Sequence, residues 1–509
     1  MPSKMIVSMS AIGFLCGLTR CARAQQNATA HETAETTAQP KAAQVAPAQP
    51  VTITVGTQAR QSFAGLGASC GNWGHEYGQL TPGERATLSR LLWRGLKMKT
   101  LRLWMNTDQF APTRGTHDIS TFRAQYIDSG LIADAQKNGV VNLLLAPDGM
   151  PSYMKVKREG GANDYALKDD EIGNYAALLA DFIRQVKVQT GILINVTGLQ
   201  NEPNDLDRIA PEQMAALTKA LRLALDARGL RTVKIIAPES ANVDGVFYDS
   251  LARLKGDATA WNALSGIASH SYGMAATDEA AKTIVDANGR NTKEYWMTEA
   301  SDNGAEVSGD AIRAASLSSR FLNDMNHRVT HWIHFIGFEV PDPNDNATRI
   351  VAYTAKPLRT TVFQKYYYYR QLSETFDAGA VFRDSQSSLE SDMTWTYGKK
   401  PRLTAAAARN PDGSWGIGLS NFTSSTFSDA DDPNNFALHT SGYAARTFDV
   451  TVQIPELAKL SGLRFTVRRS NSGVNDVSCG TIVMRQGQVV ILNVGPLDLI
   501  SLRSTKART

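Results

Sequence analysis

This sequence contains few cysteines and has almost no net charge. It has 4 cysteines in 509 residues, and its 53 Lys and Arg against 49 Asp and Glu give a formal net charge of +4. Three of those cations lie in the first 24 residues, which contain no acid, so the remainder holds 50 cations and 49 acids. A body so close to neutral gives no electrostatic reason to expect nucleic acid or an anionic membrane as a partner. The hydrophobic content of 42% is too high for a disordered chain.

The first 24 residues have the pattern of a secretory signal. Lys4 supplies the positive charge, Met5–Leu18 is apolar, and Ala22-Arg23-Ala24 offers small residues for cleavage. An apolar stretch of about 14 residues is shorter than the ~20 that span a bilayer, and no later segment reaches that length. We therefore expect residues 1–24 to be a signal peptide, with the mature chain secreted or periplasmic and free of the membrane. An uncleaved membrane anchor is the alternative.

Residues 25–50 are rich in Ala, Gln, Thr and Pro and contain almost no large apolar residue. Such a tract cannot bury enough surface to offset its ordering entropy, which predicts a disordered linker. After cleavage the cysteines are Cys70 and Cys479. Two cysteines do not make a disulfide scaffold, and the sequence leaves open whether they form one bridge.

Short apolar runs then alternate with longer segments of helical period. Near-continuous apolar runs are typical of strands covered on both faces, and eight strand–helix units fit a (β/α)8 barrel, predicted over residues 61–372. The alternative is an open doubly wound sheet, which would usually carry a glycine-rich phosphate turn; the nearest match, Gly65-Leu66-Gly67, continues into an aromatic loop instead. The predicted strands are Phe63–Ala68, Thr100–Met105, Val140–Ala146, Ile194–Gln200, Val233–Pro238, Gly266–Tyr272, Glu294–Glu299 and His331–Phe338.

Four of the intervening segments are predicted helices: Glu84–Leu96, Glu171–Gln189, Pro211–Ala227 and Gly309–Asn326. The first has a start signal, because Thr81 can cap it and Pro82 fits the first helical position.

After about residue 370 the pattern changes to short alternating runs separated by polar turns. This spacing predicts an antiparallel β-sandwich over residues 373–509. Val51–Val55 is a further strand that has no position in the barrel, so residues 51–60 are expected to join the sandwich. The predicted strands of this domain are Ala405–Asn410, Trp415–Asn421, Thr447–Ile454, Arg464–Arg468, Thr481–Arg485 and Val489–Val494.

Two of the predicted barrel strands end in glutamate, Glu202 after the fourth and Glu299 after the seventh. Reactive groups of such barrels come from the C-terminal ends of strands, and strands four and seven face each other across the mouth. Two carboxyl groups on either side of a sugar ring are what glycoside cleavage requires, one to donate a proton and one to attack or to activate water.

The sequence resembles glycoside hydrolase family 30 over nearly the whole mature chain. The matching motifs are Phe63–Ser69, Leu199-Gln200-Asn201-Glu202-Pro203, Trp296-Met297-Thr298-Glu299, Tyr366–Tyr369 with Leu372-Ser373, and Asn410–Trp415. The resemblance implies a retaining β-glycosidase without a cofactor, acting on an oligo- or polysaccharide. Glu202 would be the acid/base and Glu299 the nucleophile. The substrate could be β-1,6-glucan, β-1,6-galactan, xylan or a β-glucoside.

The same resemblance implies roles for neighbouring residues. Asn201 would bond the sugar 2-hydroxyl, Arg102 would keep the nucleophile ionised, and Tyr272 would donate to it. His270 shares a strand face with Tyr272, and either a site role or a buried core position is open.

The chain also departs from the family pattern. Asp148 and Tyr153 stand where the third-strand motif usually has tryptophans, and the eighth strand lacks the usual Trp-Asn ending. Trp73, Trp104 and Asp148 are candidate sugar contacts, each with a core or loop position as the alternative. Two other functions stay open: a carbohydrate-binding protein that lost catalysis, and a metal-dependent hydrolase using His75, His270, His331 or His334. No metal is predicted, because His331 and His334 would point to opposite faces of their strand.

Overall fold

The computed structural model describes residues 47–506 except 72, 74, 159–163, 205–206, 307–308, 391–392, 394–399, 428–439 and 461. The predicted signal peptide and residues 25–46 of the predicted linker therefore lie outside the described residues. No helix in the described part of the chain has both the length and the apolar character needed to cross a bilayer.

Eight parallel strands close into a barrel, which confirms the predicted fold class. The inside of the barrel is filled by the buried side chains of Leu144, Val196, Ile236, Ala268, Trp296 and Ile333, so it is a packed core. The first to eighth barrel strands are Gly65–Ser69, Thr100–Asn106, Asn142–Asp148, Val196–Thr197, Lys234–Ser240, Gly266–His270, Glu294–Ala300 and His331–His334.

Helices cover the outside of the barrel. The first begins where the sequence predicts, since the Thr81 hydroxyl accepts from the Glu84 N–H and the Glu84 carboxylate accepts from the Thr81 N–H at 2.8 Å. The helix Pro211–Ala227 buries Met214, Leu217, Leu221 and Leu225, a stripe of helical period. The longer helices are Pro82–Ser89, Leu131–Lys137, Ile172–Thr190, Pro211–Ala227, Gly245–Gly256, Ala311–Asn326 and Gln364–Thr375.

The C-terminal part of the described chain, together with its first strand, forms a sandwich of two sheets with its own buried core. In spatial order, one sheet contains Val381–Arg383, Leu403–Arg409, Trp415–Asn421, Leu499–Ser504, Arg464–Ser470 and Val477–Val483, and the other contains Ser385–Ser387, Gln49–Val55, Phe448–Gln453 and Gln488–Val494. The strand Gln49–Val55 pairs in parallel with Phe448–Gln453 and antiparallel with Ser385–Ser387. The first described strand is therefore an internal strand of the C-terminal domain.

The helix Gln364–Thr375 joins the two domains and runs past residue 372, where we expected the barrel to end. Its Tyr368 hydroxyl donates to the carbonyl of Leu497 at 2.6 Å, and its Gln371 amide donates to the carbonyl of Leu499 at 2.9 Å. Cys70 is buried, Cys479 is exposed, and both are free thiols, so the bridge that the sequence left open is not formed.

Candidate active site

Glu299 lies one residue before the end of the seventh barrel strand and is only 4% exposed. Its Oε1 contacts the Arg102 guanidinium, and its Oε2 accepts a hydrogen bond from the Tyr272 hydroxyl at 2.8 Å. Both oxygens of a buried carboxylate are thus satisfied, one by a cation and one by a hydroxyl. These two contacts fix the position of the carboxyl group.

Arg102 lies on the second strand and is completely buried. Its Nη2 donates to Asn201 Oδ1 at 2.8 Å and to Glu239 Oε1 at 3.2 Å, in addition to the contact of Nη1 with Glu299. Burial opposes its charge, but Glu299 and Glu239 together hold the pKa of Arg102 above its usual value. The guanidinium therefore joins the second, fourth, fifth and seventh strands beneath the barrel mouth.

Glu202 follows a fourth strand that is much shorter than predicted. Regular pairing ends at Thr197, yet the chain stays beside the third strand, since the Asn201 N–H donates to the carbonyl of Pro147 at 2.7 Å. Glu202 then adopts a left-handed backbone conformation with φ of 47°, which is uncommon for a residue with a side chain. Its side chain is 16% exposed, so this carboxyl group is open to solvent while that of Glu299 is nearly closed off.

His270 contacts both carboxyl groups from the sixth strand. Its Nδ1 is 2.9 Å from Glu202 Oε1 and 3.6 Å from Glu299 Oε2. Burial lowers the pKa of His270 to about 3, against the attraction of Glu299, so the ring is neutral at pH 7. The sequence left open whether His270 has a site role or a buried core position. In the structure the ring is fully buried, and its Nδ1 contacts the two carboxyl groups.

One oxygen of Glu202, one oxygen of Glu299 and one ring nitrogen of His270 all lie within 4.8 Å of one another. Two carboxylates and an imidazole could also ligate a metal ion. Here the Arg102 guanidinium already contacts Glu299, and a second cation at that carboxylate would be repelled by it. The other barrel histidines do not join this group: His331 stacks on Trp296, and both nitrogens of His334 bond to Tyr369 and Thr348.

An aromatic row lies beside the carboxyl groups. Trp104 has its ring centre 4.6 Å from the Arg102 guanidinium and 6.0 Å from the ring centres of both Trp73 and Phe335, each edge to face. Trp73 is 42% exposed, so one end of the row reaches solvent. Phe335 was not among the residues we expected here; it directly follows the eighth strand.

Asp148, the last residue of the third strand, belongs to the same group. Burial raises its pKa to about 6, Arg102 lowers it, and the charges of Glu299 and Glu202 raise it further. Asp148 thus ends its strand at the same end of the barrel as Glu299.

Glu239 is a third glutamate at the mouth, and sequence reasoning missed it. The predicted end of the fifth strand at Pro238 was wrong, because the strand continues to Ser240 and so includes Glu239. Glu239 is completely buried against Arg102. The signal that identified Glu202 and Glu299, a glutamate at the C-terminal end of a strand, was present here as well.

Two small sheets are inserted after barrel strands. One is formed by segments that follow the third and fourth strands (Lys155–Lys157, Tyr165–Leu167 and Asp207–Arg208), and the other by segments that follow the eighth (Phe338–Glu339, Val351–Ala355 and Leu358–Val362). Because all barrel strands are parallel, these insertions leave the barrel at the end that carries the carboxyl groups.

Comparison with known proteins gives structural matches only. No family model matches the sequence, and no curated protein matches it. A glycoside hydrolase family 30 endoxylanase from Clostridium papyrosolvens C71 superposes with a TM-score of 0.61 at 17% identity, covering 90% of this chain and 100% of that one. The catalytic domain of a family 30 xylanase C from Talaromyces cellulolyticus superposes with a TM-score of 0.64 at 16% identity, covering 89% of this chain and 100% of that one.

An endo-β-1,6-glucanase gives a TM-score of 0.61 at 19% identity, covering 90% of this chain and 94% of that one. The chain thus has the fold of the solved family 30 glycoside hydrolases, barrel and β-domain together.

Proposed function

We propose that this chain is a retaining β-glycoside hydrolase that acts outside the cytoplasm on a β-linked oligo- or polysaccharide. The observation that carries the proposal is the pair of carboxyl groups at the ends of the fourth and seventh strands, with oxygens within 4.8 Å of each other. Retaining enzymes have carboxyl groups about 5–5.5 Å apart, whereas inverting enzymes need about 6.5–9.5 Å to admit a water. The shared fold with xylanases and an endo-β-1,6-glucanase supports the same assignment.

The surroundings of the two carboxyl groups divide the roles. Glu299, held by Arg102 and Tyr272, is the carboxylate that attacks the anomeric carbon. Glu202, the more exposed group, gives its proton to the departing glycosidic oxygen. Water then loses a proton to Glu202 and displaces the sugar from Glu299, which restores both groups.

Neighbouring side chains bind the sugar in this proposal. The Asn201 amide nitrogen is available to a 2-hydroxyl, because its Oδ1 accepts from Arg102. Trp73 and Trp104 offer aromatic surface to the sugar, and Asp148 offers an acceptor to its hydroxyls. The predicted signal segment supports a secreted or periplasmic location.

A mechanism-based label tests the proposal. An activated 2-deoxy-2-fluoro β-glycoside should inactivate the enzyme and add one fluorosugar to the peptide that contains Glu299. The matched control is Glu306→Gln, a buried glutamate on the loop after the seventh strand that pairs with Lys365, which should still be labelled. A label on any other residue, or product released with inverted anomeric configuration in NMR, would contradict the mechanism.

A substrate screen identifies which β-linked glycan the enzyme cleaves. Purified xylan, β-1,6-glucan, β-1,6-galactan and aryl β-glucosides should be tested with and without EDTA, and the products sized. Activity that survives EDTA agrees with a metal-free mechanism, and activity that EDTA abolishes favours the metal-dependent alternative. Glycan binding without turnover or labelling would favour a carbohydrate-binding protein.

A further inference from the structure

We propose that Glu239 is a positioning residue that fixes Arg102 and the turn carrying Glu202, and so holds the two reacting carboxyl groups in register. This inference rests on the proposed function and extends it to a residue that neither touches the sugar nor exchanges a proton with it.

The first support is the set of contacts around Arg102. The guanidinium has no exposed surface, and its Nη2 is shared between Asn201 Oδ1 at 2.8 Å and Glu239 Oε1 at 3.2 Å. Glu299 contacts the other terminal nitrogen, Nη1. If the Glu239 carboxyl group were removed, the remaining hydrogen-bonding contacts of the guanidinium would be those with Glu299 and Asn201, and it could shift toward the vacated space.

The second support is the backbone. The carbonyl of Glu239 accepts from the N–H of Glu202 at 3.2 Å, so the fifth strand supports the turn that carries Glu202. Glu239 has φ of 63° and Glu202 has φ of 47°, which places two successive strand ends in the left-handed region. Such conformations cost about 1–3 kcal/mol each and persist where surrounding contacts impose them.

The third support is Gly198, which directly follows the neighbouring fourth strand. A Cβ atom at Gly198 would lie 1.6 Å from Glu239 Oε2, so a residue with a side chain at this position would overlap the Glu239 carboxyl group. Burial raises the pKa of Glu239 to about 7, against the opposing pull of Arg102.

Two substitutions test the proposal. Glu239→Ala should lower kcat about 100-fold with KM within threefold of wild type, since a shift of about 1 Å in catalytic groups costs that much. Glu239→Gln keeps an oxygen that accepts from Arg102 and should retain at least a third of the wild-type kcat at pH 6. The matched control is Asp324→Ala, which removes another buried carboxylate, one that accepts from Trp332 at 2.8 Å. Asp324→Ala should lose about as much thermal stability as Glu239→Ala and keep kcat within threefold of wild type.

A crystal structure of Glu239→Ala gives a readout that does not depend on turnover. Arg102 should move by more than 1 Å from Asn201. An unmoved Arg102, or equal loss of kcat in the Ala and Gln variants, would overturn the proposal. If Glu239→Ala does not fold, Glu239→Asp should lower kcat about tenfold and leave KM within threefold of wild type. If the wild-type protein cleaves no β-glycoside, the proposed function fails, while the position of Arg102 still decides this inference.

Discussion

At the level of single residues, Glu202 and Glu299 differ in what surrounds them. Glu299 is closed off between Arg102 and Tyr272, whereas Glu202 faces His270 on one side and solvent on another. The roles that we propose for them follow from this difference, because the two groups have the same intrinsic chemistry.

Glu202→Gln tests the acid/base role. Because only the departure of a basic leaving group needs a proton, this variant should lose about 10²–10⁴-fold in kcat/KM on a polysaccharide and far less on a dinitrophenyl glycoside. Glu299→Gln is the comparison and should be inactive on both substrates. Equal loss of Glu202→Gln on both would contradict its assignment.

Asp148 should give the enzyme a pH dependence of substrate binding. Burial raises its pKa to about 6, so the group is a carboxylate above that pH and gains a proton below it. An ionised carboxylate is the stronger acceptor for sugar hydroxyls, so KM should rise as the pH falls through 6. Asp148→Asn should show a KM that is higher than that of wild type at pH 7 and flat across this range. A wild-type KM that does not change between pH 5 and 7 would exclude the effect.

At the level of strands and helices, sequence patterns located all eight barrel strands and the helix Pro211–Ala227 at its observed bounds. They failed where local geometry departs from regular pairing. The fourth strand was predicted to be regular to residue 200, but it leaves the ladder after Thr197 to form the turn at Glu202. Pro238 masked the end of the fifth strand and, with it, Glu239.

The sandwich was harder to predict for a different reason. Val477–Val483 is exposed along almost its whole length, so its sequence has no alternation to fix its bounds, and we placed a strand at Thr481–Arg485 instead. Val381–Arg383 and Ser385–Ser387 have three residues each, too few for a periodic signal. The missed strand Leu499–Ser504 is buried at all but one position and alternates weakly.

The fourth strand carries a prediction of its own. Gly198→Ala would place a methyl group against the Glu239 carboxylate and should lower kcat about tenfold or more while leaving Glu239 in the sequence. Gly173→Ala is the control: this helical glycine has nothing within 4 Å of the added carbon, so the change should be neutral or stabilise by about 0.5–1 kcal/mol. Kinetics and thermal unfolding of both variants check this, and a fully active Gly198→Ala would count against the crowding argument.

At the level of the whole molecule, the strand Gln49–Val55 ties the start of the described chain to the C-terminal domain. Val51, Ile53 and Val55 point into the core of the sandwich and are at most 2% exposed. Ile53→Ala should lower the free energy of unfolding by about 2–5 kcal/mol through lost burial and a residual cavity. Thr54→Ala, on the exposed face of the same strand, should change it by less than about 0.5 kcal/mol. Urea unfolding of the two variants measures the difference, and similar values would show that this strand contributes little to stability.

The parallel pairing of Gln49–Val55 with Phe448–Gln453 also constrains how the protein is made. About four hundred residues separate these two strands along the chain. The strand Gln49–Val55 therefore has no partner to pair with during most of translation. Contacts so distant along the chain form late and slowly, because a large loop must close first. A chain released before residue 448 would leave the hydrophobic face of the early strand uncovered. A C-terminal fragment cut at the domain boundary would lack an internal strand of its sheet, so it should not fold stably alone.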